Sequence, residues 1–346
     1  MSRYAEAHKL ANLNGPGDAR PTALQIIKDE GLTGKLADKV FLITGVSSGI
    51  GIETLRALHT TGAHVYGTVR DVAKGQKVVD TILSESHPSG GKITLIEMSL
   101  DSLASVRSGA SSFLQKSNNQ LNALITNAGI MATPFSKTKD GFESQFGTNH
   151  LAHFLLFQLV KPALLASATP TYPSRVVSVT STGHTFGPPL FDDYNFDSTP
   201  YNPWRAYGQA KTSNIWFANA IEKHFGAQHL HATSVHPGLI LSSNLGTHLP
   251  AEATSIFYTP EVRRTSKSAE QGAATQVWAA VGEEWRGKGG KYLSNLAVPG
   301  RYEELEKEGA TDVWSNDGWK EWAYDEAGAE RLWRESFGLV GLEESS

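Results

Sequence analysis

The chain has 346 residues, 40% hydrophobic and 19% charged, with eight tryptophans, a composition that supports a sizeable packed core and argues against disorder. Its 31 basic and 35 acidic side chains leave a formal charge of −4, too balanced for electrostatic capture of nucleic acid or an anionic membrane. There is no cysteine, which removes disulfides, thiolate catalysis and cysteine zinc sites, and leaves small molecules as the expected partners.

Residues 1–38 read as a polar N-terminal extension, broken by Gly15, Pro16, Gly17 and Pro21 and carrying one helical stretch near Thr22 to Glu30. It lacks the apolar run of a signal peptide, and no stretch of about 18 apolar residues stands out to cross a bilayer, so a soluble, cytoplasmic protein is expected. Residues 39–44 form an apolar, β-rich run ending at a glycine cluster, and a helix is expected from Gly49 towards Thr60. Further strands are expected at 64–69, 93–98, 123–127, 175–179 and 231–235, each followed by helical spacing. Apolar strands alternating with helices imply a parallel sheet covered on both faces: a single doubly wound α/β domain over 39–300, with about seven strands.

Two stretches interrupt the alternation. Residues 183–204 are rich in aromatics without periodicity, and residues 239–262 mix apolar residues with Gly and Pro after a His-Pro-Gly turn; both are expected to be substrate loops. The C-terminal segment, 301–346, holds Trp314, Trp319, Trp322 and Trp333 and a helix around 327–339. Packing on the domain is its plainest reading, with a pocket or a subunit contact as alternatives. A homo-oligomer is compatible with the sequence.

Between the first strand and the first helix lies Gly45-Val46-Ser47-Ser48-Gly49-Ile50-Gly51. Glycines there let the backbone approach a pyrophosphate, which the free N–H groups and dipole of the helix N-terminus stabilise. The same letters satisfy the Gly-x-Ser-x-Gly nucleophile elbow of a serine hydrolase, but such an elbow needs strands before it, and only a polar extension precedes Gly45. At the end of the second strand Val69 stands where an acid would grip the adenine ribose, and Arg70 follows. An arginine there suits a 2′-phosphate, pointing to NADP(H); the alternative is a surface arginine paired with Asp71.

Tyr207 and Lys211, at i and i+4 on an expected helix, share one face. A nearby ammonium favours the phenolate and would lower the tyrosine pKa, although the pair alone is common on surface helices. Ser181 ends the apolar run 175–179 and either stabilises an oxyanion or forms a turn. Asn149 opens a strongly apolar helix, as a structural kink or as a holder of water in a proton relay.

The segments TGVSSGIG at 44–51, TNAG at 126–129, Asn149, Ser181 and YGQAK at 207–211 resemble, in order and spacing, the short-chain dehydrogenase/reductase family. The resemblance spans about Lys39 to Asn244. Residues from Asn149 to Leu156, the long interval from Ser181 to Tyr207 and the C-terminal Ala323 to Trp333 region look like the retinol-dehydrogenase-like branch. The lead-in at 33–39 and Glu270 to Ala274 resemble fungal members, which points towards secondary metabolism. By that resemblance the fold is Rossmann-type and the protein is an NADP(H)-dependent oxidoreductase interconverting a carbonyl and an alcohol, a ketoreductase-like activity on an apolar substrate. Tyr207 would be the acid or base, Lys211 would lower its pKa and bind the nicotinamide ribose, Ser181 would position the carbonyl and Asn149 would hold a water. Asn127, Ala128 and Gly129 would line the adenine ribose side, and Pro237 and Gly238 the nicotinamide. Thr126 and Ser99 depart from the family pattern, the latter where many members carry an adenine-contacting Asp. A cofactor-bound sensor or scaffold is the competing function. His150 and His153, one helical turn apart, are expected to pack rather than to bind metal, and the acidic run 303–308 to be a solvated helix face.

Overall fold

Six of the strands form where apolar, β-branched runs predict them. In the computed structural model, which describes residues 3–85, 89–250, 254–307 and 316–344, β1 (Val40–Thr44), β2 (His64–Val69), β3 (Ile93–Glu97), β4 (Ala123–Thr126), β5 (Ser174–Val179) and β6 (Leu230–His236) match the expected segments to within a residue at each end. β7 (Lys291–Ser294) completes the sheet, and its four residues are too few to carry a pattern. All neighbouring pairs are parallel, in the order β3-β2-β1-β4-β5-β6-β7. The chain leaves β1 in one direction and returns to β4 on its other side, so a crevice opens beyond their carboxyl ends.

Successive strand residues face opposite ways. Leu42, Leu124 and Val176 pack against Val106, Phe154, Trp216 and Trp333 from the helices Leu103–Lys116, Ala152–Ser167, Pro203–Phe225 and Glu326–Leu339. Phe41, Ile43 and Val177 pack against Ile26, Leu55 and Val277 from Ala23–Asp29, Ile50–His59 and Ala274–Val281. Each such side chain, fully withdrawn from water, contributes roughly 1.5–3 kcal/mol.

The N-terminal extension is tied down. Arg20, only 4% exposed, donates to the carbonyls of Gly15, Thr265 and Ser266 and pairs with Asp18. The C-terminal tryptophans divide their work: Trp333 packs on Phe154, Phe157 and Phe217, whereas Trp322 donates to the His184 carbonyl beside Ser181; Trp314 lies outside the described residues. Trp322 thus braces the Ser181 loop directly.

One expectation needs correction. The segment Ser144–Ser167 is long and apolar enough to cross a membrane, yet 61% of its most apolar window is buried within the fold. Phe154, Leu155, Leu156 and Phe157 are fully enclosed, so core packing accounts for the composition. The expected loop 183–204 contains a short turn, Thr182–Phe186, and ends at the Asn202 cap of the Pro203–Phe225 helix, which begins a turn before Tyr207. The 239–262 stretch holds short turns at Asn244–Gly246 and Ser255–Tyr258 and the start of the Pro260–Thr265 helix, with 251–253 outside the described residues.

Candidate active site

The glycine turn is shaped by close backbone contacts. Gly45, at φ +74°, donates to the Thr68 carbonyl, and a Cβ on it would lie 2.7 Å from that of Ala128. A Cβ on Gly51 would lie 2.1 Å from the Gly45 oxygen. Gly49, at φ +59° where the Ile50–His59 helix begins, differs: a Cβ there would meet nothing within 4 Å. Ser47, Ser48 and Ile50 are half-buried around that open ground. The turn thus presents free space against a helix N-terminus, a fit for a phosphate group. Because β1 is the first strand in the chain, the hydrolase elbow lacks its preceding strands among the described residues.

Asn127 holds the turn from behind. Its amide donates to the Thr44 and Gly45 carbonyls at 2.9 and 3.3 Å, and its oxygen accepts from Gln276 at 3.2 Å. Ala128 N–H donates to the Thr44 hydroxyl. Arg70 is exposed at the end of β2, and Asp71 accepts from Lys74 N–H as a helix cap rather than forming an ion pair with Arg70. The Ser99 hydroxyl donates to Asp101 at 2.5 Å, so the first acid after β3 turns back onto Ser99.

Tyr207, Lys211, Ser181 and Asn149 come together past the ends of β4 and β5. The Ser181 hydroxyl, near enough to the Tyr207 phenol to lower its pKa, accepts from Gly183 N–H at 3.0 Å. Lys211 Nζ lies 5.5 Å from the Tyr207 ring centre and donates to the Val179 carbonyl at 3.2 Å. Burial pushes the Lys211 ammonium down to about 8 and the Tyr207 phenol up to about 12, the Ser181 contact working the other way on the phenol. The effect of burial on Tyr207 therefore outweighs the lowering expected from Lys211.

Asn149 sits in a π-helical turn, Gly147–Leu151, of the kind that often marks functional positions. Its amide donates to the Ile130 carbonyl and its oxygen accepts from Ile130 N–H, both at 2.9 Å, which fixes the loop through Gly129. The side chain expected to hold water is thus committed to backbone, and the Asn149 carbonyl accepts from His153 Nδ1 at 2.9 Å. His153 Nε2 takes the Thr44 hydroxyl at 2.9 Å, joining this turn to the glycine turn, while His150 meets the Ser336 hydroxyl. Burial lowers both imidazoles, to about 4 and about 3, so both are neutral connectors.

Several supporting residues escaped the sequence reading. A Cβ on Gly183 would lie 2.5 Å from the Tyr207 ring, and one on Gly208 2.7 Å from Phe186 Cβ, so two glycines let the Ser181 loop and the tyrosine helix touch. Their proximity to two motif residues was the only available signal. Gly183→Ala should displace the tyrosine ring and lower kcat/KM by about 10²-fold, the scale of a 1 Å misplacement, with little change in cofactor affinity; steady-state kinetics beside a cofactor titration will show it.

Residues 39–253 match the family model for short chain dehydrogenase. The chain belongs to that family. It is 43% identical to oxidoreductase calI of Penicillium decumbens, across 99% of both chains. It is 46% identical to short-chain dehydrogenase/reductase prx1 of Penicillium roqueforti, over 96% of this chain and 93% of that one, and 34% identical to mouse retinol dehydrogenase 12 over 89% and 88%. Among solved structures, an uncharacterized Mycobacterium paratuberculosis protein superposes with a TM-score of 0.67 at 30% identity, covering 92% of this chain and 98% of that one. A Burkholderia cenocepacia short chain dehydrogenase in complex with NADP shares the fold, with a TM-score of 0.58 at 23% identity and coverage of 76% and 96%. The protein is therefore a short-chain dehydrogenase/reductase oxidoreductase, a family that binds a nicotinamide cofactor and acts on small molecules.

Proposed function

We propose that this enzyme is an NADP(H)-dependent reductase of ketones or aldehydes on an apolar substrate, with Tyr207, Lys211, Ser181 and Asn149 as its active-site group. The observation that carries the reading is the buried Tyr207 phenol, with the Ser181 hydroxyl near it and the Lys211 ammonium 5.5 Å from its ring centre. A phenol raised by burial is protonated at neutral pH and suits donation of a proton to the oxygen of a carbonyl undergoing reduction. Ser181, beside that phenol, suits holding the same oxygen. Lys211 donates one hydrogen bond to Val179, and its remaining donors suit a ribose hydroxyl and a water that replenishes the proton. The half-buried Phe186 and Trp204 rings, 5.5 Å apart and with Trp204 edge-on to Tyr207, suit an apolar substrate.

The turn Gly45, Ser47, Ser48, Gly49, Ile50 and Gly51 would receive the pyrophosphate, Asn127, Ala128 and Gly129 the adenine ribose side, and Pro237 and Gly238 the nicotinamide. When bound, the cofactor supplies the hydride. NADPH absorbance followed against a panel of aliphatic and aromatic carbonyls, with NADH as control, tests the reading; no consumption with either cofactor across the panel would remove it. Arg70→Ala should weaken NADPH by roughly 1.5–3 kcal/mol, the worth of a hydrogen bond to a charged group, and leave NADH nearly unchanged. Equal loss for both cofactors in a binding titration would end the 2′-phosphate assignment.

A further inference from the structure

β5 and β6 run side by side and end together, Val179 opposite Val235, with Thr180 N–H donating to the Val235 carbonyl. Beyond that point the sheet ladder stops, yet two functional loops must keep their spacing: Ser181–Thr182 and Pro237–Gly238. Side chains from distant segments take over from the ladder. Thr182 N–H donates to His236 Nδ1 at 3.2 Å, and His236 Nε2 meets Asp317 Oδ1 at 3.1 Å. Asn295 Nδ2 donates to Asp317 Oδ2, and Lys267 Nζ donates to Asn295 Oδ1 at 2.7 Å and to the Pro237 carbonyl at 3.3 Å. The run starts on the residue after Ser181 and ends on the residue before Gly238.

The C-terminal segment grips the same place a second time, since the Thr182 hydroxyl donates to the Asn316 carbonyl at 3.2 Å and Asn316 itself holds the Tyr302 carbonyl. Lys267 N–H donates to the Leu239 carbonyl, so the lysine is fixed to the turn at two points. Arg20 from the N-terminal extension secures the preceding Ser266 carbonyl. Lys267 and His236 are each 4% exposed. Burial alone would raise the Asp317 carboxyl, but hydrogen bonding and charge from His236, then Lys267 and Asn295, hold it below the ordinary range. The carboxylate thus sits ionised between an imidazole N–H and an amide N–H.

We infer that Asp317 is a positioning residue: acting through His236 on Thr182, and through Asn295 and Lys267 on Pro237, it holds the substrate-side and nicotinamide-side loops in one relative position. The inference rests on the active-site reading above, because it assigns meaning to the spacing of those loops.

The polarity of the run supplies the test. Asp317→Asn turns one acceptor into a donor facing the Asn295 amide. If Asn295 flips to accept from it, its own amide then faces the Lys267 ammonium, so the mismatch moves along without disappearing. Asn295→Asp added to Asp317→Asn restores every donor and acceptor, with the carboxylate one place nearer Lys267. Expected results are a fall in kcat of about 10-fold or more for Asp317→Asn, KM for the carbonyl little changed, altered fluorescence of bound NADPH, and recovery of kcat to within about 3-fold of wild type in the double variant. Thermal unfolding is measured on every variant. A lowered Tm with unchanged kcat and unchanged NADPH emission in Asp317→Asn makes the residue merely structural and overturns the inference, as does a folded double variant that stays 10-fold slow. Should Asp317→Asn fail to fold, the double variant decides by the same kcat and emission criteria. If wild type binds NADPH but reduces no carbonyl in the panel, the functional reading fails while NADPH emission still decides on Asp317; if it binds neither NADPH nor NADH, both fall.

Discussion

Tyr207→Phe will leave a folded protein that still binds NADPH but reduces carbonyls about 10²–10⁴-fold more slowly, the usual contribution of a positioned acid or base. The ring is buried against Gly183, and phenylalanine fills the same volume, so the substitution removes one hydroxyl and its contact with Ser181 and nothing else. Stability should change by no more than about 1 kcal/mol, since only the phenolic oxygen and its polar contact near Ser181 are removed. The pH dependence has a definite sign. Reduction uses the protonated phenol, so its rate will be flat near neutrality and fall as the phenol ionises. Oxidation uses the phenolate and will rise over the same range. Burial puts the phenol at about 12, and the positive charges of Lys211 and of a bound oxidised nicotinamide both favour the phenolate, so the oxidative limb will lie below that value. Wild-type rates in both directions across pH, beside the variant's loss of both, check the assignment. A Tyr207→Phe enzyme with full kcat would remove the phenol from the reaction.

The second large effect belongs to the glycine turn. Gly51→Ala places a methyl 2.1 Å from the Gly45 carbonyl oxygen and 2.7 Å from Asn127 Nδ2, and the first of these is backbone that cannot swing aside. Relief requires the turn to open or the helix to withdraw, and either breaks the Asn127 hydrogen bonds to the Thr44 and Gly45 carbonyls. Charge-assisted contacts of about 1.5–3 kcal/mol each from the turn's N–H groups to a phosphate would go together, so cofactor affinity should fall by at least about 10²-fold. Quenching of tryptophan emission on NADPH titration measures this without turnover. Thermal unfolding in the absence of cofactor separates a lost site from a lost fold. Unchanged affinity in a stable Gly51→Ala protein would place the dinucleotide elsewhere.

Much of the fold was legible because its signals are local. Residues 39–44 announce β1 by an apolar, β-rich run, and the glycine turn follows at once. Tyr207 and Lys211 need only the pitch of one helix to share a face. β7 was not placed, since four residues between loops carry no period, and its position at the sheet edge comes from pairing with β6. The polar apparatus behind the site was invisible for a different reason. Gln276 and Asn127 lie 149 positions apart, and Trp322 and His184 138 apart, each a single polar contact with no repeat to betray it. Even the residues singled out along the chain had unforeseen partners: Asn149 clamps Ile130, and His153 bridges Thr44 to the Asn149 carbonyl.

By itself, the chain's amino-acid order determined a doubly wound parallel sheet, a glycine turn between its first strand and the following helix, and a tyrosine and lysine one turn apart on a later helix. Hydrophobic period, glycine's tolerance of positive φ and helical pitch all act over a few residues, so they can be read along the chain. Only the tertiary structure decided that burial drives the Tyr207 phenol up, that two glycines admit its ring beside Ser181, and that the chain's two ends close around His236 and Lys267. Those outcomes depend on which surfaces lose water together and which lone donors then meet acceptors, and that is settled when distant segments pack.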